Sequence, residues 1–294
     1  MRRTRSALPF VLLTALAGLV LGISPADAKP QAGKGKQKAA TVTWAPADQA
    51  TITPGSEMIT NGAQCTANFI YTDGADVLIG YAAHCAGDGG EATDTNGCDA
   101  PSLPTGSTQV EIEGASKPGT LVYSSWETMQ RVGETDADAC NYNDFALVRI
   151  DPADHDKVNP SIPHWGGPTG LSTEGIGSGE TVYSYGNSSL RFGIRELSPK
   201  TGLSLGTTAG GWTHPVYTVS PGFPGDSGSA LLDAEGRAAG VLSTLAIAPL
   251  AGSNNYSDLA SALDYMHSNG GPAASLAVGT EAFDGSQLPL GLGL

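Results

Sequence analysis

Pro221-Gly222-Phe223-Pro224-Gly225-Asp226-Ser227-Gly228-Ser229-Ala230-Leu231-Leu232 sets a serine between glycines, just ahead of an apolar run. Flanking glycines let a chain turn tightly enough to expose a hydroxyl and to aim backbone N–H groups at one point, which is what acyl-transfer chemistry requires. Ser227 is therefore the candidate nucleophile. A serine hydroxyl needs a base to take its proton and a third group to orient that base. Gly80-Tyr81-Ala82-Ala83-His84-Cys85 follows the apolar run Val77-Leu78-Ile79, so a buried strand delivers His84 at its end. Asn143-Asp144-Phe145-Ala146-Leu147-Val148-Arg149-Ile150 places Asp144 at the mouth of another such strand. Of the five histidines, only His84 has this setting.

The three stretches resemble the His, Asp and Ser motifs of the chymotrypsin-like (trypsin-fold) serine proteases, and they occur in that family's chain order. The resemblance implies that His84 is general base, Asp144 its orienting partner and Ser227 the nucleophile, with the backbone N–H groups of Gly225 and Ser227 forming the oxyanion hole. It also implies an all-β fold of two six-stranded antiparallel barrels with the site between them. An α/β-hydrolase elbow is excluded: it wants glycine two residues after the serine and a helix beyond, where this chain has Ser229 and a strand-like run.

The rest of the chain suits that layout. Met1 to Ala28 reads as a signal peptide, with Arg2, Arg3 and Arg5 ahead of the apolar stretch Phe10 to Ile23 and an Ala26-Asp27-Ala28 cleavage site. Residues 29–58 are a polar, then Pro- and Thr-rich segment, read as a leader, an extended arm or a short pro-segment. Short β-like runs between Gly, Pro, Asn and Ser clusters fill residues 59–271, barrel one over about 59–150 and barrel two over about 180–250, with Asp151 to Gly179 as crossover. Leu259, Leu263 and Met266 recur at helical spacing after a cap at Ser257 or Asp258 and before Asn269-Gly270-Gly271, predicting a C-terminal helix. Residues 272–294 show no period and are read as a tail.

Four cysteines in an exported chain imply disulfides, with three pairings open from the numbers. The family resemblance implies Cys65–Cys85, which leaves Cys98–Cys140. No zinc site is expected, since the cysteine spacings lack a paired Cys-x-x-Cys. The acidic run Glu134, Asp136, Asp138 lacks the glycine and closing glutamate of an EF-hand and reads as a surface loop. Net charge is −14, and cleavage after Ala28 would remove three arginines and one aspartate, leaving about −16. That balance excludes a basic nucleic-acid face.

These readings together predict a secreted, monomeric serine endopeptidase acting on protein or peptide substrates without cofactor, metal, membrane or nucleic acid. A catalytically inert binding protein of the same fold and a secreted esterase are the alternatives. The chain departs from the family at several positions. Pro221 stands where an aspartate would select Lys or Arg, and Phe223 replaces a pocket-bracing cysteine. Ser243, Thr244 and Leu245 resemble the strand that pairs with substrate, and a small or apolar P1 residue is expected. No Ile-Val-Gly-Gly start is present to supply an amine for Asp226, so an internal Arg191 or Arg195 is expected to pair with it, as in some bacterial members.

Overall fold

In the computed structural model, residues 42–88, 96–246 and 252–289 are described. The stretch read as a signal peptide and residues 29–41 of the leader lie outside these residues, as does the chain beyond residue 289. The first half contributes β1 (Glu57–Thr60), β2 (Ala63–Thr66), β3 (Ile70–Asp73), β4 (Asp76–Tyr81), β5 (Gln109–Ile112), β6 (Gly119–Ser124), helices α1 (Ser125–Val132) and α2 (Ala137–Tyr142), and β7 (Ala146–Arg149). The second contributes β8 (Thr181–Tyr185), β9 (Pro199–Ser204), β10 (Thr213–Val219), β11 (Ala230–Leu232), β12 (Ala238–Ala246), β13 (Ser253–Asp258), α3 (Leu259–Ser268) and β14 (Ser275–Leu276).

Barrel two closes through its ladders in the order β10-β13-β12-β11-β8-β9. Barrel one appears as an eight-stranded sheet, β14-β3-β4-β7-β6-β5-β1-β2. Its β2 end is joined covalently to β3, the strand beside β14 at the other end, through residues 67–69. That corner is pinned on both sides: Ala67 N donates to Ser56 O at 2.9 Å and Asn68 N to Gly80 O at 2.8 Å. Counting β2 and β3 as one bent strand restores the six-stranded barrel, with β14 added outside. A bend that changes ladder partner is a standard way to turn a barrel corner.

Strand periodicity explains why the run after Ser227 is apolar throughout. Leu231 joins the interior of barrel two with Val182, Val216, Leu242 and Tyr256. Its neighbours Ala230 and Leu232 point to the opposite face and join the large core shared with barrel one. The segment carrying the candidate nucleophile is thus anchored on two faces.

α3 starts at Asp258, whose carboxylate accepts from Ser261 N at 2.7 Å. It buries Leu259, Ala262, Leu263 and Met266 in the shared core. Residues 275–284 of the stretch read as tail pack on the domain. β14 pairs with β3, Thr280 bonds Asn159 and Ser161 of the crossover, and Phe283 stacks edge-on against Tyr183. Residues 42–58 act as the extended arm, with Ala45 N and Ile52 N donating to Val158 O and Lys157 O. The acidic run is a folded element: Asp136 caps α2 through Ala139 N, and Glu134 accepts from Tyr265. Among the described residues no helix is long and apolar enough to cross a membrane.

Asp154 ties the crossover to the β5–β6 turn. Its buried carboxylate accepts from Ser116 N and Oγ at 2.9 and 2.8 Å and faces Lys157 Nζ at 2.7 Å. Burial alone would raise this carboxyl, but the ammonium and the Ser116 donors outweigh it and hold the pKa at about 2. A lowered carboxylate stabilises the fold fully above its unfolded pKa and stops doing so as pH falls through its folded value. Asp154→Asn is therefore expected to melt below the wild type at pH 7. The gap should close as pH falls from about 4 to 2, as read by thermal denaturation.

Candidate active site

His84 lies in the short turn Ala83–Ala86 that follows β4, and only 1% of it is exposed. The Cys65–Cys85 disulfide forms and ties this turn to β2, while Cys98–Cys140 forms between the segment before β5 and α2. Among the described residues the one group with metal-ligand spacing is Cys65, His84 and Cys85. Both of its sulfurs are spent on the disulfide.

Asp144 precedes β7, which is paired with β4, so the ladder that delivers His84 also delivers its partner. Asp144 Oδ1 accepts from the His84 amide at 2.8 Å, and Oδ2 meets Nδ1 of the ring at 2.6 Å. Ser243 Oγ donates to the same Oδ2 at 2.6 Å. Burial alone would raise the Asp144 carboxyl; the facing imidazole and these donors hold it below the ordinary carboxylate value instead. An ionised Asp144 keeps the ring proton on Nδ1 and leaves Nε2 free to accept. Nε2 is buried and has no hydrogen-bond partner among the described residues. Trp126 of α1 lies beside the imidazole, its ring 6.4 Å away between centroids.

Ser227 stands on the turn before β11, where its carbonyl accepts from Thr66 N at 2.8 Å. The two flanking glycines are required. Gly225 has φ +93°, and a Cβ there would come 2.9 Å from Gln64 Oε1; Gly228 has φ +88°, and a Cβ there would come 2.6 Å from Thr66 O and 2.8 Å from Ala82 N. The second contact sets the Ser227–Gly228 backbone directly against the chain leading into His84.

Turn carbonyls are pinned outward, that of Pro224 by Ser188 Oγ at 2.5 Å and that of Gly225 by Thr66 Oγ1 at 2.7 Å. The amides of Asp226, Gly228 and Ser229 donate to Phe223, Leu242 and Asp226. Those of Gly225 and Ser227 have no partner among the described residues, as an oxyanion site needs. Ser229 avoids the left-handed region, so its side chain fits without backbone strain.

A cavity of about 200 Å³ opens beside Ser227, lined by Phe223, Leu242, Ser243, Leu245 and Asn254 among others. Ser243 lies on its wall, so the group that holds Asp144 and the candidate nucleophile border one space. Of the residues expected to bind substrate, Ser243 and Leu245 reach this cavity. Pro221, in the loop after β10, does not line it. Neither does Thr244, because β12 alternates its faces and carries a register shift between Leu242 and Thr244. Asn254, absent from the sequence reading, lies opposite Leu245 on β13. Its buried amide accepts from Gly222 N at 2.7 Å and donates to Thr244 O at 3.3 Å.

Asp226 is paired internally. Arg191 reaches it, whereas Arg195 pairs with Glu113. A second cation, Lys200, lies 2.7 Å from the same carboxylate. Nothing in the sequence separates Lys200 from a solvent-facing lysine.

No family model matches this chain, and no curated protein does. Solved structures similar to it include Thermobifida fusca protease A, at 20% identity over 78% of this chain and 100% of that one, with a TM-score of 0.49. A glutamic acid specific serine protease described as using a histidine triad in substrate binding is 16% identical, covering 77% and 100%, with a TM-score of 0.47. Cellulomonas bogoriensis chymotrypsin is 18% identical, covering 77% and 98%, with a TM-score of 0.45.

Proposed function

We propose that this chain is an exported serine endopeptidase whose catalytic residues are His84, Asp144 and Ser227. The observation that carries the reading is the His84–Asp144–Ser243 arrangement. It leaves Nε2 of a buried imidazole free and borders the cavity that holds Ser227.

Ser227 Oγ attacks the carbonyl carbon of the scissile bond as its proton passes to His84 Nε2, and the Gly225 and Ser227 amides receive the developing oxyanion. The imidazolium, stabilised by Asp144, then protonates the leaving amine as the C–N bond breaks. Water, losing a proton to His84, attacks the acyl-enzyme and releases the acid with the serine restored. No cofactor enters this scheme. Signal peptide, disulfides and acidic charge support a site of action outside the cell.

The test is labelling of the full chain by a fluorophosphonate probe. Labelling that vanishes in Ser227→Ala and His84→Ala supports the reading; a folded wild type that does not label overturns it and favours an inert binding protein. Cleavage of esters without cleavage of peptides would favour the esterase.

Specificity follows from the wall of the cavity. Phe223, Leu242 and Leu245 with the amide of Asn254 present apolar and neutral groups, with no carboxylate among the described residues of the lining. Small to medium apolar P1 residues are expected to give kcat/KM at least about tenfold above Lys, Arg or Glu, since an unpaired charge in such a cavity is penalised. A P1 series of otherwise identical peptides measures it, and preference for a charged residue would refute it.

A further inference from the structure

The carboxylate between the two proposed oxyanion donors carries more positive charge than it needs. Asp226 Oδ2 accepts from Arg191 Nη2, from Lys200 Nζ at 2.7 Å and from Phe223 N at 3.0 Å; Oδ1 accepts from Ser188 N at 3.0 Å. One buried anion faces two buried cations. Burial of an ammonium is costly, and a guanidinium on the same carboxylate already supplies its counter-charge.

The two cations come from different kinds of structure. Arg191 belongs to the 186–198 excursion between β8 and β9, where its Nη1 donates to Leu197 O at 2.8 Å. The excursion turns Leu190, Phe192 and Ile194 outward, with Phe192 86% exposed. Few buried apolar contacts make such a segment the first to open locally. Lys200 belongs to β9, hydrogen-bonded to β8 on one side and β10 on the other, and its side chain is 0% exposed. It cannot leave Asp226 unless the barrel opens.

We propose that Lys200 is a positioning residue that holds Asp226 from the barrel wall, so that the Gly225 and Ser227 amides stay aligned when Arg191 and its loop move away. This rests on the function proposed above. Arg191 and Lys200 then form a redundant pair, and the turn needs no amine from a chain terminus.

The pair separates by pH. Among the described residues, the charged or titratable groups around Lys200 are Asp226 on the nucleophile turn, Arg191 on the excursion and Tyr256 on β13, whose hydroxyl bonds Ser184 opposite Lys200. Burial and then Arg191 push the ammonium below the ordinary lysine value, with Asp226 opposing. Burial pushes the Tyr256 phenol up, so it stays neutral through this range. Arginine does not titrate in it either. With Arg191 present, loss of the Lys200 proton leaves Asp226 paired. Without Arg191, the same loss leaves a buried carboxylate with no cation.

The experiment compares the full chain as wild type, Arg191→Ala, Lys200→Met and the double variant, reading fluorophosphonate labelling rate and peptide kcat/KM from about pH 6 to 10.5. At pH 7 each single variant is expected to lose less than about tenfold, and the double variant at least about a hundredfold more than the singles combined. Arg191→Ala, where Lys200 is the cation left on Asp226, should gain an alkaline limb as Lys200 loses its proton. The limb is displaced upward because a group that lowers Lys200 is gone, so this variant is followed as far above about pH 10.5 as it stays folded. Wild type and Lys200→Met should show none. If Arg191→Ala has no such limb, or if Lys200→Met costs no more in its background than in the wild type, the proposal fails. A double variant that does not fold leaves the limb in Arg191→Ala as the decisive readout. Should the wild type fold but neither label nor turn over peptide, the proposed function fails separately, and the pH series is read on melting temperature. A melting temperature that falls at alkaline pH only in Arg191→Ala then supports the role of Lys200, and parallel curves overturn it.

Discussion

Ser227→Ala is expected to reduce peptide-bond turnover by about 10⁶-fold while leaving the fold intact. The hydroxyl is the only atom lost, and it lies on a turn whose shape is set elsewhere: by Gly225 and Gly228, by the Thr66 N to Ser227 O bond, and by alternation of β11 between two cores. The measurement is kcat/KM on a peptide together with the melting temperature. A loss of less than about a hundredfold would mean that Ser227 is not the nucleophile, because a residual rate that high exceeds what binding and an oxyanion site provide beside a missing nucleophile. His84→Ala should cost about as much, since the residues of such a set act as a unit.

Asp226→Asn should have the largest effect on stability, a loss of about 3–5 kcal/mol. The substitution keeps the shape of the side chain and removes its charge, leaving Arg191 and Lys200 buried without an anion. Burial opposes ionisation of Asp226, but the ammonium and the guanidinium facing it hold its carboxyl below the ordinary value. Equilibrium denaturation at pH 7 measures the loss. A change under about 1 kcal/mol would mean that the cations reach water once the anion is gone. The peptide-cleaving activity is expected to fall with the stability, because Asp226 also fixes Phe223 and Ser188 around the oxyanion turn.

The candidate site was legible in the sequence because its chemistry demands particular residues in short contiguous motifs. His84 and Asp144 end or begin apolar runs that become the paired strands β4 and β7, and Ser227 sits between glycines whose positive φ no other residue adopts easily. Both disulfides follow the pairing implied by family resemblance. The cap and apolar stripe of α3 are local features as well, so its start at Asp258 agrees with the reading.

Other features depend on what lies across space. Trp126 beside the imidazole is placed by α1, a short helix whose cap at Ser124 carries a weaker signal than the strands around it. Asn254 reaches the cavity beside Ser227 through the register of β12 on β13, and that register shifts at Leu242 to Thr244 in a way no period reveals. Residues 275–284 have no pattern of their own because they complete a sheet edge and a crossover that other segments build.

By itself, the sequence determined a chain of short strands carrying a His, a Ser and an Asp each in a local motif, since these are written in local spacing and composition; the disulfide pairing came from the family resemblance and not from the spacing. Only the tertiary structure decided which cations serve Asp226, where the cavity beside Ser227 lies and that residues 275–284 pack on the domain. The physical reason is that these depend on long-range burial: Lys200 and Arg191 are ten residues or fewer apart in the chain, yet the carboxylate they share arrives from a different strand connection.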